Sequence, residues 1–250
     1  MLILASILPA LILVGHVCIK DRQQPEPFKM LLKAFLFGMF SAAASLCISI
    51  PAASLGLYPS DPVTVGDHFA VAFFGAAVPE ELAKLFMLWL ALRHNPWFDE
   101  SFDGIVYAVC VGMGFAFAEN IGYLAQAGEY WMATGITRGL ISVPGHYAFA
   151  VIMGYYYSKS HFACPQTETE DGVLIDDASA MAEWRRNRWK SIAMMIVLPI
   201  LAHGTFDWIL MVSGASEYEA LSGILTVVFF VFFIWMQRFA RRHLRSLIGK

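Results

Sequence analysis

The segment VPEELAKLFMLWL, beginning at Val78, sets Glu80, Glu81 and Lys84 inside a run that is otherwise apolar. Three later apolar stretches carry polar groups in the same way: Glu119 and Asn120 in GFAFAENIGY, His146 in SVPGHYAFAV, and His203 with Asp207 in LAHGTFDWIL. Charged groups in such surroundings cost several kcal/mol if they face lipid, so they mark function more often than packing. Acids and imidazoles together suit the activation of water. A desolvated glutamate takes up a proton near neutral pH, and a histidine polarises water, supports an oxyanion or binds a metal. There is no HExxH sequence. His146, His203 and a carboxylate such as Glu81 would give one Zn²⁺ three protein donors. A glutamate–histidine pair acting on water without metal would use the same residues, and their spacing leaves both open.

Helical spacing groups these side chains. Glu80 and Lys84 are four residues apart, Glu81 and Lys84 three, and His203 and Asp207 four, so each pair shares a helix face. Lys84 therefore offsets the cost of two neighbouring acids, which stand about 100° apart around the helix and need not play one part. Counted along their segments at about 1.5 Å per residue, Glu80, Glu81, Glu119, His203 and Asp207 lie roughly 17–25 Å from the ends that carry the basic residues. His146 enters roughly 13 Å from the opposite end. Four segments thus bring acids and imidazoles to one level of a core about 30 Å thick. Pro79, Pro144 and Pro199 stand just before three of these sites. A proline inside a helix frees a carbonyl one turn earlier, and a bilayer tolerates this where protein or a water-filled cavity satisfies it. Pro144 equally fits a helix start capped by Ser142.

The elements that must hold these groups are membrane helices. The chain has 250 residues, of which 58% are hydrophobic and 15% charged. Long apolar segments run end to end, which excludes an ordinary soluble domain. Seven segments are near spanning length: 1–19, 30–50, 64–92, 102–126, 137–158, 191–213 and 219–237. The first lacks a basic start and is followed by Lys20 and Arg22, which favours a retained helix over a cleaved signal. With the N-terminus outside and the C-terminus cytoplasmic, 15 of the 17 basic residues fall on the cytoplasmic side, leaving Arg138 outside and Lys84 in the membrane. The expected architecture is therefore all-α, a polytopic bundle of about seven spans forming one integral membrane domain over 1–250. Its one sizeable loop, 159–190, opens with the acidic QTETEDG and ends in ASAMAEWRRNRWK, which reads as an interfacial helix. Gly112 and Gly114 would allow close helix packing, against either the same bundle or another subunit. Cys18, Cys47, Cys110 and Cys164 have no paired spacing and read as small apolar residues. No phosphate-binding glycine pattern and no basic nucleic-acid patch is present.

In order, EELAK from Glu80, FAFAE from Phe115, the lone His146 and HGTFD from His203 match EExxK, FxxxE, a histidine and HxxxD. This set resembles the PrsW family of intramembrane proteases, distant relatives of the type II CAAX prenyl proteases. The stretch FDGIVYAVCVGMGFAFAENIGY, from Phe102, is especially similar, and the resemblance covers residues 70–210. It implies a site-1-type protease of the bacterial cytoplasmic membrane. Such an enzyme cuts a single-span membrane protein, for instance an anti-sigma factor, at or near the outer face. Carried over by position, Glu80 and Glu81 are the prime catalytic residues, with Glu119, His146, His203 and Asp207 completing the site and Lys84 and Asn120 supporting it. Either glutamate would be the base, the histidines oxyanion or metal partners, and Asp207 would orient His203. Family members are described as metalloproteases, whereas the CAAX relatives are thought to use a glutamate-activated water. Arg138 and Asp103 are read as structural. The rival reading of the same acids is a proton or ion pathway, which the absence of paired repeats with broken helices disfavours.

Overall fold

The computed structural model describes residues 2–162 and 178–248, which hold helices and no strand. Helix α1 is Leu2–Lys20 and α2 is Phe28–Ser54. Helix α3, Val65–Ala70, runs without a break through a π-helix, Val71–Ala77, into α4, Val78–Leu92. Helix α5 is Asp103–Gln126. Helix α6, Trp131–Thr137, continues through a second π-helix, Arg138–Ser142, into α7, Val143–Phe162. Helices α8, Ala178–Gly214, and α9, Glu219–Leu247, complete the bundle. Among the described residues, each apolar segment read from the sequence lies in one helix or one continuous helical run, apart from Thr64 and Phe102, which precede α3 and α5. Four helices among the described residues are long and apolar enough to cross a membrane: Phe28–Ser54, Asp103–Gln126, Met181–Gly214 and Glu219–Leu247.

Local chemistry sets the helix ends. Thr64 and Asp67 form a capping box at α3: Asp67 N–H donates to Thr64 Oγ1 at 3.1 Å, and Thr64 N–H donates to Asp67 Oδ2 at 2.8 Å. The backbone N–H groups of Asp99 and Glu100 donate to Asp103 Oδ2 at 2.9 and 2.8 Å, fixing the entry to α5. Asp103 thus has a structural part, as the sequence suggests. The interfacial segment ASAMAEWRRNRWK forms the first turns of α8 and is continuous with the apolar helix that follows. QTETEDG and Cys164 lie outside the described residues. Cys18, Cys47 and Cys110 are unpaired.

The bundle is built around α5, which packs against α1, α2, α4, α6 and α7, while α7 also meets α8 and α9. Small residues let the backbones approach. A Cβ on Gly114 would stand 2.0 Å from Phe35 O on α2, so only glycine fits there. A Cβ on Gly112 would meet Ala150 Cβ on α7 at 2.7 Å. The GxG pair therefore serves contacts within the chain's own bundle. Helix α9 is the outermost wall, with Ile224, Val227 and Val231 exposed.

Candidate active site

Glu80, Glu81 and Lys84 sit in the first two turns of α4, directly after the π-helix Val71–Ala77. Pro79 has no N–H to donate to the preceding turn, and the widened π turns accommodate it without breaking the helical run. Pro144 stands two residues before His146 and follows the second π-helix in the same way, with no helix start at Ser142. π-Turns of this kind recur at functional sites, because one extra residue per turn re-aims the side chains that follow.

Lys84 is the hub of the cluster. Its Nζ lies 2.8 Å from Glu81 Oε1, 3.4 Å from Glu80 Oε2 and 3.3 Å from His146 Nδ1. It also stands 3.7 Å from the centre of the Phe115 ring, a cation–π contact that explains the apolar residue of FAFAE. His203, on α8, places Nδ1 2.8 Å from Glu81 Oε1 and Nε2 3.2 Å from Asp207 Oδ2 and 3.8 Å from Glu80 Oε2. His146, on α7, places Nε2 2.9 Å from Glu119 Oε2 on α5. The two imidazoles stand nearly perpendicular with centroids 5.2 Å apart, and Phe149 stacks on His203 at 4.8 Å. Glu80, Glu81, Lys84, Glu119, His146, His203 and Asp207 thus form one connected group.

Burial separates the acids. Glu81 is 2% exposed, whereas the side chains of Glu80, Glu119 and Asp207 are 15%, 19% and 22% exposed. The open side of the cluster is therefore lined by Glu80, Glu119 and Asp207, with Glu81 and Lys84 behind. Donor atoms of Glu80, His146 and His203 all lie within 4.8 Å of one another. This is the two-histidine, one-carboxylate donor set of catalytic zinc sites, so the donor types fit such an ion, which would take the place of Lys84 Nζ at His146 Nδ1 and of Asp207 at His203 Nε2. Glu80 completes that set in place of Glu81, which instead holds His203 Nδ1. Glu119 holds His146 Nε2 in the same manner. A carboxylate on the far nitrogen of a ligating histidine fixes its tautomer and ring orientation.

Arg138, set aside in the sequence, belongs to this network. It ion-pairs with Glu119 and donates from Nε to Asn120 Oδ1 at 2.6 Å, with its guanidinium 3.9 Å from the Tyr123 ring centre. Asn120 donates in turn toward Ser6 O at 3.5 Å, so it anchors Arg138 and does not contact the imidazoles. The one signal in the sequence is that Arg138 is the single basic residue that the expected topology leaves on the outer side, which does not by itself point to Glu119.

A second acidic group lies at the other end of the bundle, where ligand atoms of Asp21, Glu100 and Asp103 come within 4.8 Å of one another. Burial, followed by the charges of Asp103 and Glu100, pushes the Asp21 carboxyl up to about 7. Burial also raises Glu26, although the Tyr107 hydroxyl donates to its Oε2 and opposes the shift.

The chain is similar to known proteins over most of its length. The family model described as "PrsW family intramembrane metalloprotease" matches residues 26–236. A Protease PrsW from Geobacillus kaustophilus is 33% identical over 87% of this chain and 83% of its own length. The proteins of that name from Clostridioides difficile and Bacillus subtilis are 32% and 30% identical, each over 94% of this chain and over 87% and 90% of their own lengths. No solved structure matches.

Proposed function

The chain belongs to the PrsW family of intramembrane metalloproteases, and we propose that it cleaves a single-span membrane protein of the anti-sigma-factor kind, at or near the outer face of the bilayer. It is an integral membrane peptidase of the bacterial cell membrane. The proposed topology is seven spans with the N-terminus outside and the C-terminus cytoplasmic. It is supported by the distribution of basic residues and puts the open side of the cluster toward the outer half of the membrane.

The reading rests on the convergence of Glu80, His146 and His203 from three helices to within 4.8 Å, on the accessible side of a buried ion-pair network. Glu80 is the acid placed to take a proton from an attacking water, because it is open where Glu81 is closed. Lys84 offsets the charge of both glutamates and keeps them close. Glu81 fixes His203, and Glu119, neutralised by Arg138, fixes His146, so both rings are oriented before substrate arrives. In a metal-free site Asp207, 3.2 Å from His203 Nε2, would keep that nitrogen an N–H donor for a developing oxyanion, whereas in a metal-bound site the same nitrogen would be the ligand. A metal would be held by Glu80, His146 and His203, and zinc bound there would acidify a water and polarise the substrate carbonyl.

The deciding experiment is elemental analysis of the purified protein, with cleavage of a model single-span substrate assayed before and after chelation. Glu80→Gln should lower the rate by about 10²–10⁴-fold with unchanged thermal stability. Stoichiometric zinc with chelator-sensitive, restorable cleavage would make Glu80 a metal ligand. Cleavage by the metal-free protein would make it the base. Wild-type rates in both Glu80→Gln and His203→Ala would end the assignment of the site.

A further inference from the structure

The helical core has a second polar recess, on the opposite side of α7 from the acids. Between α1, α7 and α9 lies a cavity of about 570 Å³, lined by the cations Lys20, Arg241 and Arg245 and by His16, Tyr147 and Gln237. Lys84 and Arg138 are paired with carboxylates, but among the described residues none of these three cations forms an ion pair. Tyr147 is 7% exposed, and its hydroxyl has no hydrogen-bond partner among the described residues. A buried, unpaired hydroxyl beside three unpaired cations is a site lacking an anionic oxygen ligand.

The recess does not end in protein. Through Leu13, Leu140 and Pro144 it is continuous with an apolar groove of about 360 Å³ that runs past Leu8, Ile12 and Gly139. From Lys20 back to Leu8 is about 18 Å along α1, close to the depth of one leaflet of a core about 30 Å thick. Polar at the basic end and apolar along the rest, the cavity has the proportions of a headgroup with one acyl chain. Basic recesses between membrane helices on the cytoplasmic side bind anionic headgroups, and that leaflet carries the anionic lipid. We propose that the crevice between α1, α7 and α9 holds one anionic phospholipid, its phosphate at Lys20, Arg241 and Arg245 and an acyl chain in the groove along α1. The bound lipid would tie α9 to α1 beside the reactive layer.

The test is native mass spectrometry and thermal unfolding of the full chain in detergent, titrated with phosphatidylglycerol, with phosphatidylcholine of the same chains, and with inorganic phosphate. Phosphatidylglycerol should remain bound and raise the unfolding temperature, and the other two should not. Each charge removed in K20Q, R241Q and R245Q should weaken retention about fivefold. R238Q/R242Q removes charge from another face of α9 and should leave retention intact. If the triple variant does not fold, Leu140→Trp keeps the charges and fills the groove, and it should reduce retention of phosphatidylglycerol. Equal retention of phosphatidylcholine, equal loss in R238Q/R242Q, a full response to phosphate alone, or undiminished retention in the triple variant or, where that fails to fold, in Leu140→Trp would overturn the proposal. So would a photo-crosslinker at Ile12 that captures the helix of a model substrate and no lipid.

Discussion

Lys84 decides whether two adjacent glutamates can be buried at all. Glu81 has almost no access to water, and its stabilising partners are the ammonium at 2.8 Å and His203 Nδ1 at the same distance. Removing one member of such a pair leaves an uncompensated buried charge, which costs about 3–5 kcal/mol, whereas removing both costs far less. Lys84→Met should therefore lower the unfolding temperature strongly, and Glu81→Gln in the same chain should recover much of the loss. The double-mutant cycle reads this directly from thermal unfolding of the two single variants and the pair. If the double variant were as unstable as the sum of the singles, Lys84 would matter for packing against Phe115 and not for charge. Activity should return in neither case, because Glu81 also orients His203.

At the scale of the helices, the reactive layer depends on how closely the π-helix Val71–Ala77 lies against α8. Gly204 follows His203, and a Cβ there would stand 2.5 Å from Phe73 of the π-helix. The Phe73 ring is held by stacking on Phe69 at 4.3 Å, so it cannot swing aside without cost. Gly204→Ala should separate the two elements, destabilise by about 1–3 kcal/mol and reduce cleavage by moving His203 away from Glu81. Phe73→Leu in the same chain makes room and should restore part of the rate. Failure of that rescue in a folded double variant would show that Gly204 acts otherwise. Neither π-helix is legible in the sequence. Pro79 and Pro144 mark where the helices are perturbed, but one extra residue in a turn leaves no trace in an apolar pattern that is hydrophobic on every side. What was legible is the polar layer itself, because the cost of burying Glu80, Glu119, His146 and His203 leaves each conspicuous in its segment. Which glutamate faces outward was not, since both sit in the same EELAK and only packing separates them. Arg138 was missed for a related reason: a lone arginine between apolar segments reads as an outer-loop charge until Glu119 is seen beside it.

Across the whole molecule, the clustered acids among the described residues form two groups, the reactive cluster and the acidic group where α1 ends and α5 begins. The second group makes stability depend on pH, with a sign opposite to that of an ordinary ion pair. Asp21 titrates near 3.9 in an unfolded chain and is pushed up to about 7 by burial beside Asp103 and Glu100. Between those values the folded protein holds a proton that the unfolded chain releases. This contribution is therefore fully present below about pH 4, declines as pH rises toward 7, and is flat above it. Glu26 is raised by the same burial and acts in the same direction. Asp21→Asn keeps the shape and removes the ionisation, so it should match the wild type below about pH 4, become progressively more stable than it up to about pH 7, and keep that margin at pH 8. Unfolding temperatures of the two proteins in detergent at unit steps of pH measure that divergence. A constant difference across the range would mean that Asp21 keeps its ordinary titration, and a difference that shrank as pH rose would mean that a cation pairs with it. A widening difference would show that Asp21 stays protonated in the folded protein into the neutral range, which leaves no carboxylate charge at that position to pair with Lys20.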